Sequence, residues 1–126
     1  MEDLRNAALS IEASKVAEEL KIKFGLAHLV ELARLGFAYA IRYELTPEKD
    51  ADWGSTPGTN FNIATLDPKQ EMREAVRLFF PDSIVAQYPY RAIEALMSKG
   101  LRLLGEHMAE GMVGTLGDVV ASPNLP

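Results

Sequence analysis

Asn6-Ala-Ala-Leu-Ser-Ile-Glu-Ala-Ser-Lys-Val-Ala-Glu-Glu-Leu-Lys-Ile-Lys-Phe-Gly-Leu26, continued by the apolar run to Tyr43, decides the fold. The start of this stretch, from Asn6 to Leu9, reads as a short strand. Ser10 is a good helix N-cap, because its hydroxyl can accept from an orphan amide two or three residues on. A first helix over Ile11 to Phe24 follows. Its residues Ala13, Val16, Ala17, Leu20 and Phe24 recur at i, i+3, i+4, i+7 and i+11, a single apolar stripe. Gly25 stands where a left-handed C′ residue ends a helix. A second helix is expected from about His28 to Tyr43. Its polar residues are few: His28, Glu31, Arg34, Tyr39 and Arg42. A helix so apolar nearly all round is a buried one.

Strand, helix, glycine turn, helix is the order of the ribbon-helix-helix plan, in which two chains pair their strands and interlock their helices. Half of such a unit cannot cover its own apolar faces. The sequence therefore predicts an oligomer, with Leu29, Leu32, Phe37 and Ile41 of the second helix as candidate interface residues.

The rest of the chain fits one mainly α domain of 126 residues. Residues 1–44 form the strand-helix-helix unit, 45–67 an acidic loop, 68–121 two further helices and 122–126 a tail. A chain of this length buries roughly two thirds of its unfolded surface. The loop is rich in breakers, among them Pro47, Gly54, Pro57, Gly58 and Asn60. Phe61, Ile63 and Leu66 can pin its far end to the core. Asp67-Pro68 reads as a helix start, with Asp as N-cap, Pro at N1 and Gln70 placed for a capping box. That third helix is expected to end near Phe80-Pro81. The fourth should run from Pro89-Tyr90 to about Gly114, with Ile93, Leu96, Met97, Leu101, Leu104 and Met108 as its core stripe. Gly100 and Gly105 each weaken it by roughly 1 kcal/mol relative to Ala. Close approach of another backbone would explain them.

Net charge is −5 and unevenly spread. The loop 46–67 carries Lys49 against Glu48, Asp50, Asp52 and Asp67, for −3, while the helical parts are near neutral. An acidic protein is a poor non-specific binder of polyanions, so any nucleic-acid role needs a local patch. There is no cysteine, which excludes disulfides, thiolate zinc sites and iron–sulfur clusters. No apolar run reaches the roughly 20 residues that span a bilayer. The acidic start Met1-Glu2-Asp3 is unlike a signal peptide. A cytoplasmic protein without membrane contact is expected.

The order of elements resembles the DndE family, the small subunit of the DNA phosphorothioation (sulfur modification) system. The resemblance extends over roughly Leu9 to Val120. It is carried by the Leu9-Ser10 helix start, the Phe24-Gly25-Leu26 turn and the apolar second helix. The segment Asn60-Phe-Asn-Ile-Ala-Thr-Leu66, Tyr90-Arg91-Ala92 and Lys99-Gly100 continue it. The resemblance implies a non-enzymatic subunit that forms a tetramer and binds DNA with a preference for nicked duplex. It further implies work beside a sulfurtransferase subunit and an ATPase, which together replace a non-bridging phosphate oxygen by sulfur. The chain departs from that pattern in its acidity and in Ala27-His28, which lacks a Thr-Pro or Ser-type cap.

Candidate DNA contacts follow from side-chain type and spacing. Arg91 and Arg102 lie about 20° apart around the fourth helix, with Lys99 about 80° away. Lys15, Lys21 and Lys23 lie on the outer side of the first helix. There, Lys15, Glu19 and Lys23 can equally form a solvated ladder of weak ion pairs. Arg5 and Arg34 are lesser candidates. On the strand, Ala7 and Leu9 face inward, so Leu4, Asn6 and Ala8 face out. Only Asn6 among them can read a base edge, which favours contact with the nucleic-acid backbone over sequence readout.

Catalysis is not expected. His28 and His107 each have only a lone acid three residues on, so no metal site is predicted, and no cofactor is. Glu18-Glu19 sits on an exposed face, and Gly54-Ser-Thr-Pro-Gly58 lacks the following Lys and helix of a phosphate cradle. Trp53 suits either a partner anchor or a loop folded over its own core. Two alternatives stand beside the DNA-binding subunit. One is a scaffold subunit that holds other proteins and touches no DNA. The other is a ribbon-helix-helix repressor or antitoxin, against which Leu4 and Ala8 argue.

Overall fold

The computed structural model describes residues 2–49, 57–115 and 117. The Trp53 loop tip and the tail 122–126 lie outside the described residues. Strand β1 (Asn6–Ser10) leads directly into helix α1 (Ile11–Phe24), and α2 (Leu29–Arg42) follows. Strand β2 (Pro57–Asn62), a one-turn helix α3 (Ile63–Leu66) and α4 (Glu71–Phe79) come next. A 3-10 turn at Val85–Gln87 precedes the long helix α5 (Pro89–Ala109). Among the described residues no single helix is long and apolar enough to cross a membrane.

The ends of α1 are set by its own sequence. Ser10 Oγ accepts from Ala13 N at 3.1 Å. At the other end Gly25 adopts φ 67°, and its amide donates to Ile22 O while Leu26 N donates to Lys21 O. That pair of bonds is a Schellman closure, which needs a left-handed residue at C′. The same closure ends α5. Gly111, at φ 78°, donates to Met108 O, and Met112 N donates to His107 O. This is why α5 stops at Ala109 rather than near Gly114.

Helix α2 buries one side, and does so on its own chain; it is not covered all round as its composition predicts, since Arg34 and Ala38 are exposed and Leu29, Val30, Leu35 and Ile41 only partly covered. It packs lengthwise on α5, and Leu32, Ala33, Phe37 and Ala40 join Ile93, Leu96, Met97, Leu101 and Leu104 in one core. The crossing point is two glycines. A Cβ on Gly36 would lie 2.6 Å from both the Met97 carbonyl oxygen and Leu101 Cγ. A Cβ on Gly100 would run into the Gly36 carbonyl. The two helix backbones therefore touch. Gly105 faces a side chain instead: its added Cβ would meet Val16 Cγ1 of α1 at 3.1 Å.

Two expectations are corrected here. The first is the partner of β1, which is β2 of the same chain. They run antiparallel with Asn6 opposite Asn62, Ala7 opposite Phe61 and Ala8 opposite Asn60. The register slips between Ala8 and Ser10, leaving an extra residue on β2. Gly58 fits the slip because a Cβ there would strike Ser14 Oγ, and Thr59 N donates to that oxygen at 2.7 Å. The other edge of β1 is closed by α5. Ala8 N donates to Glu94 Oε2 at 2.8 Å and Ser10 N to Ser98 Oγ at 2.9 Å. These two side chains occupy the Ala8–Ser10 part of that edge. The far end of the 45–67 segment is correspondingly structured, as β2 and α3.

The second correction is the start of α4. A turn at 68–70 intervenes, and the helix begins at Glu71. Asp67 still caps it from that distance: Oδ1 accepts from Met72 N at 3.0 Å and Oδ2 from Arg73 N at 3.1 Å. Gln70 is left-handed, at φ 59°, and its side chain takes Arg73 Nη1 instead of closing a capping box.

The glycine contact makes a measurable demand. Gly100→Ala should gain roughly 1 kcal/mol in helix propensity yet lower stability on balance, by about 1–3 kcal/mol, because the two backbones must separate. Gly105→Ala should be near neutral or stabilising, because the Val16 side chain can yield. Urea unfolding midpoints of the two variants check the contrast.

Candidate nucleic-acid interface

The structure divides the sequence-predicted cations into two sets. Arg91, Arg102, Lys99 and Arg34 are engaged within the chain. Arg91 donates through Nε and Nη2 to Glu2 O at 3.2 and 3.0 Å. Arg102 Nε lies 3.5 Å from Glu12 Oε2. Lys99 Nζ donates to Thr46 O at 2.9 Å and Thr46 Oγ1 at 2.8 Å. Arg34 ties α2 to α3 through Thr65 O and Leu66 O. Arg91, Lys99 and Arg102 therefore serve three separate contacts rather than one continuous strip. Lys15, Lys23 and Arg5 are exposed and Lys21 is half-exposed. Among the described residues these four make no ion pair, so the Lys15–Glu19–Lys23 ladder is not formed.

Of the residues proposed as an oligomer interface, Leu32 and Phe37 lie in the protomer's own core. Leu29 and Ile41 are partly buried against it. A groove of about 370 Å³ opens between the end of α2 and α5, lined by Lys99 and Arg102 but also by Glu44 and Glu106. Its charges balance, so it does not gather cations for a polyanion.

The N-terminal segment is strapped across the start of α5. Tyr88 at the N-cap offers no side-chain bond. Asp3 takes that role from afar, accepting Tyr90 N on Oδ2 at 3.0 Å and Arg91 N on Oδ1 at 3.2 Å. A carboxylate here also complements the positive end of the helix dipole. The Tyr90 hydroxyl donates to Asp67 Oδ2 at 3.0 Å, which joins α5 to the cap of α4. Burial, and then this bond to a carboxylate, push the Tyr90 phenol up to about 12. A second buried cluster links α2 to α5. The Tyr39 hydroxyl hydrogen-bonds His107 Nδ1, and the Tyr43 ring meets the His107 ring edge-on at 5.0 Å. Burial, followed by the neighbouring Tyr43 phenol, raises the Tyr39 phenol well above its ordinary value. Among the described residues no three His, Asp or Glu side chains gather as metal ligands.

Asn6 is where the sequence placed it, exposed on the outer face of β1. The sequence reading missed its neighbours. Asn60 and Asn62 are exposed on the same face, because they stand opposite Ala8 and Asn6. The polar–apolar–polar order Asn60-Phe61-Asn62 is a strand signal, but it spans three residues next to Pro57-Gly58 and is easily read as loop.

The architecture defines a class: a mainly helical unit in which a short two-stranded ribbon packs on α1 and α5, with α2 laid along α5. Within that class, DndE from Escherichia coli B7A, described as involved in DNA phosphorothioation modification, has a similar structure. The TM-score is 0.55 at 18% identity, over 81% of this chain and 98% of that one. The resemblance read from the sequence thus holds for the fold. No protein-family model and no curated protein matches the chain.

The Tyr90–Asp67 bond sets a pH dependence. The phenol binds its proton more tightly folded than unfolded, so the folded state loses stability as pH rises from about 10, the unfolded value, through about 12, the folded value. Tyr90→Phe should flatten that part of the decline. Alkaline unfolding followed by circular dichroism, with phenolate absorbance as the second probe, checks this.

Proposed function

We propose that this protein is a non-catalytic accessory subunit of a DNA phosphorothioation complex, acting in the cytoplasm. In this reading it contacts intact or nicked duplex mainly through the DNA backbone, as an oligomer beside sulfurtransferase and ATPase subunits. The observation that carries the reading is the shared fold with DndE, which spans 98% of that protein. The unpaired Lys15, Lys21, Lys23 and Arg5 supply the phosphate contacts. No catalytic role is assigned to any residue of the chain.

A second reading has a specific observation in its favour. Arg91, Lys99, Arg102 and Arg34 are held by the chain itself, and the net charge is −5. Both fit a scaffold subunit that holds catalytic partners together and leaves the DNA to them.

A gel-shift series with intact and nicked duplex, with and without the partner subunits, separates the two. The DNA-binding reading expects a complex whose log affinity falls with log salt by about 0.9 per phosphate neutralised. Lys15→Glu with Lys23→Glu should abolish it, while co-purification with the partners persists. If no shift forms under any condition and co-purification survives, the scaffold reading replaces it.

A further inference from the structure

The β1–β2 ribbon has one face in the core and one in solvent. Ala7, Leu9 and Phe61 are buried, whereas Asn6, Asn60 and Asn62 are exposed and Ala8 half-exposed. We propose that this outer face is a base-edge contact surface for the major groove of duplex DNA, with Asn6 and Asn60 selecting adenine. The proposal rests on the reading that the protein meets duplex DNA, and adds a base preference to it.

The shape suits the site. Two strands about 4.8 Å apart fit a major groove about 12 Å wide, the groove that admits a two-stranded ribbon. Strand residues rise about 3.4 Å each, close to the spacing of successive base pairs, about 3.4 Å along one DNA strand. Asn60 and Asn62 therefore stand about two base-pair steps apart. The slip at Gly58 and Thr59 is held by Ser14 of α1, which fixes the twist of the ribbon against the helix.

The chemistry suits adenine. An asparagine amide can donate to adenine N7 and accept from its N6 amino group at once. Among the described residues neither Asn6 nor Asn60 hydrogen-bonds through its side chain, so both keep donor and acceptor. Asn62 differs: its Oδ1 accepts from Ala64 N at 2.8 Å as the cap of α3. Only its amino group remains, which suits an acceptor such as thymine O4 or guanine O6. Arg5 precedes the ribbon, exposed and suited to a phosphate.

The test is fluorescence anisotropy with alternating A·T and alternating G·C duplexes, across a salt series, for the native chain and for Asn6→Ala/Asn60→Ala. Both substituted side chains are exposed, and circular dichroism confirms that folding is intact. The expected result is tighter binding to A·T by about ten-fold, lost in the double variant while the salt slope is unchanged. Binding without base preference, or a preference that survives both substitutions, overturns the proposal and leaves the DNA-binding reading standing. Failure to bind either duplex, with or without partner subunits, overturns both.

Discussion

The backbone contact between Gly36 and Gly100 is the constraint on which the rest of the structure depends. Helices with side chains at their crossing stand about 8–10 Å apart. Here neither glycine has room for a Cβ, and α2 lies directly on α5. That closeness buries Leu32, Phe37, Leu96, Met97 and Leu101 in one core. It also seats α5 at the heart of the protein, where nearly every residue from Ala92 to Leu101 is buried. From there one helix serves three neighbours: α2 through its glycine, α1 through Gly105, and β1 through Glu94 and Ser98.

The bonds to β1 change what kind of assembly the chain can make. A strand edge with open amides is a template for pairing with another chain. Glu94 and Ser98, four residues apart and so on one face of α5, close that edge from below. Glu94 would be a costly residue to bury alone. It is satisfied on both oxygens, by Ala8 N and by Lys49 Nζ at 2.7 Å. The protomer therefore completes its own ribbon.

The same closure creates an exposed polar face. Because β2 returns from more than fifty residues downstream to lie beside β1, isolated Asn6 becomes one of three amides on an exposed ribbon. Meanwhile the three basic side chains grouped by helical spacing on α5, Arg91, Lys99 and Arg102, hold the chain's own carbonyls and carboxylates. Helical spacing says which cations share a side of a helix. It says nothing about the carbonyl of Glu2 or Thr46 arriving there first.

Much of this was legible in the residues. Ser10 and Gly25 delimit α1 through bonds that span three to five positions. The stripes of α1 and α5 each follow from one helix's own period. Gly100 was legible as a place where another backbone comes close, though its partner Gly36 was not. By itself, then, the sequence determined the helices, both ends of α1, and the inward sides of β1 and α2, because short-range backbone bonds and periodicity encode them. Only the tertiary structure decided that α5 covers α2, that β2 completes the ribbon, and which cations stay free. Those outcomes depend on groups distant along the chain meeting in space, and local spacing carries no record of such meetings.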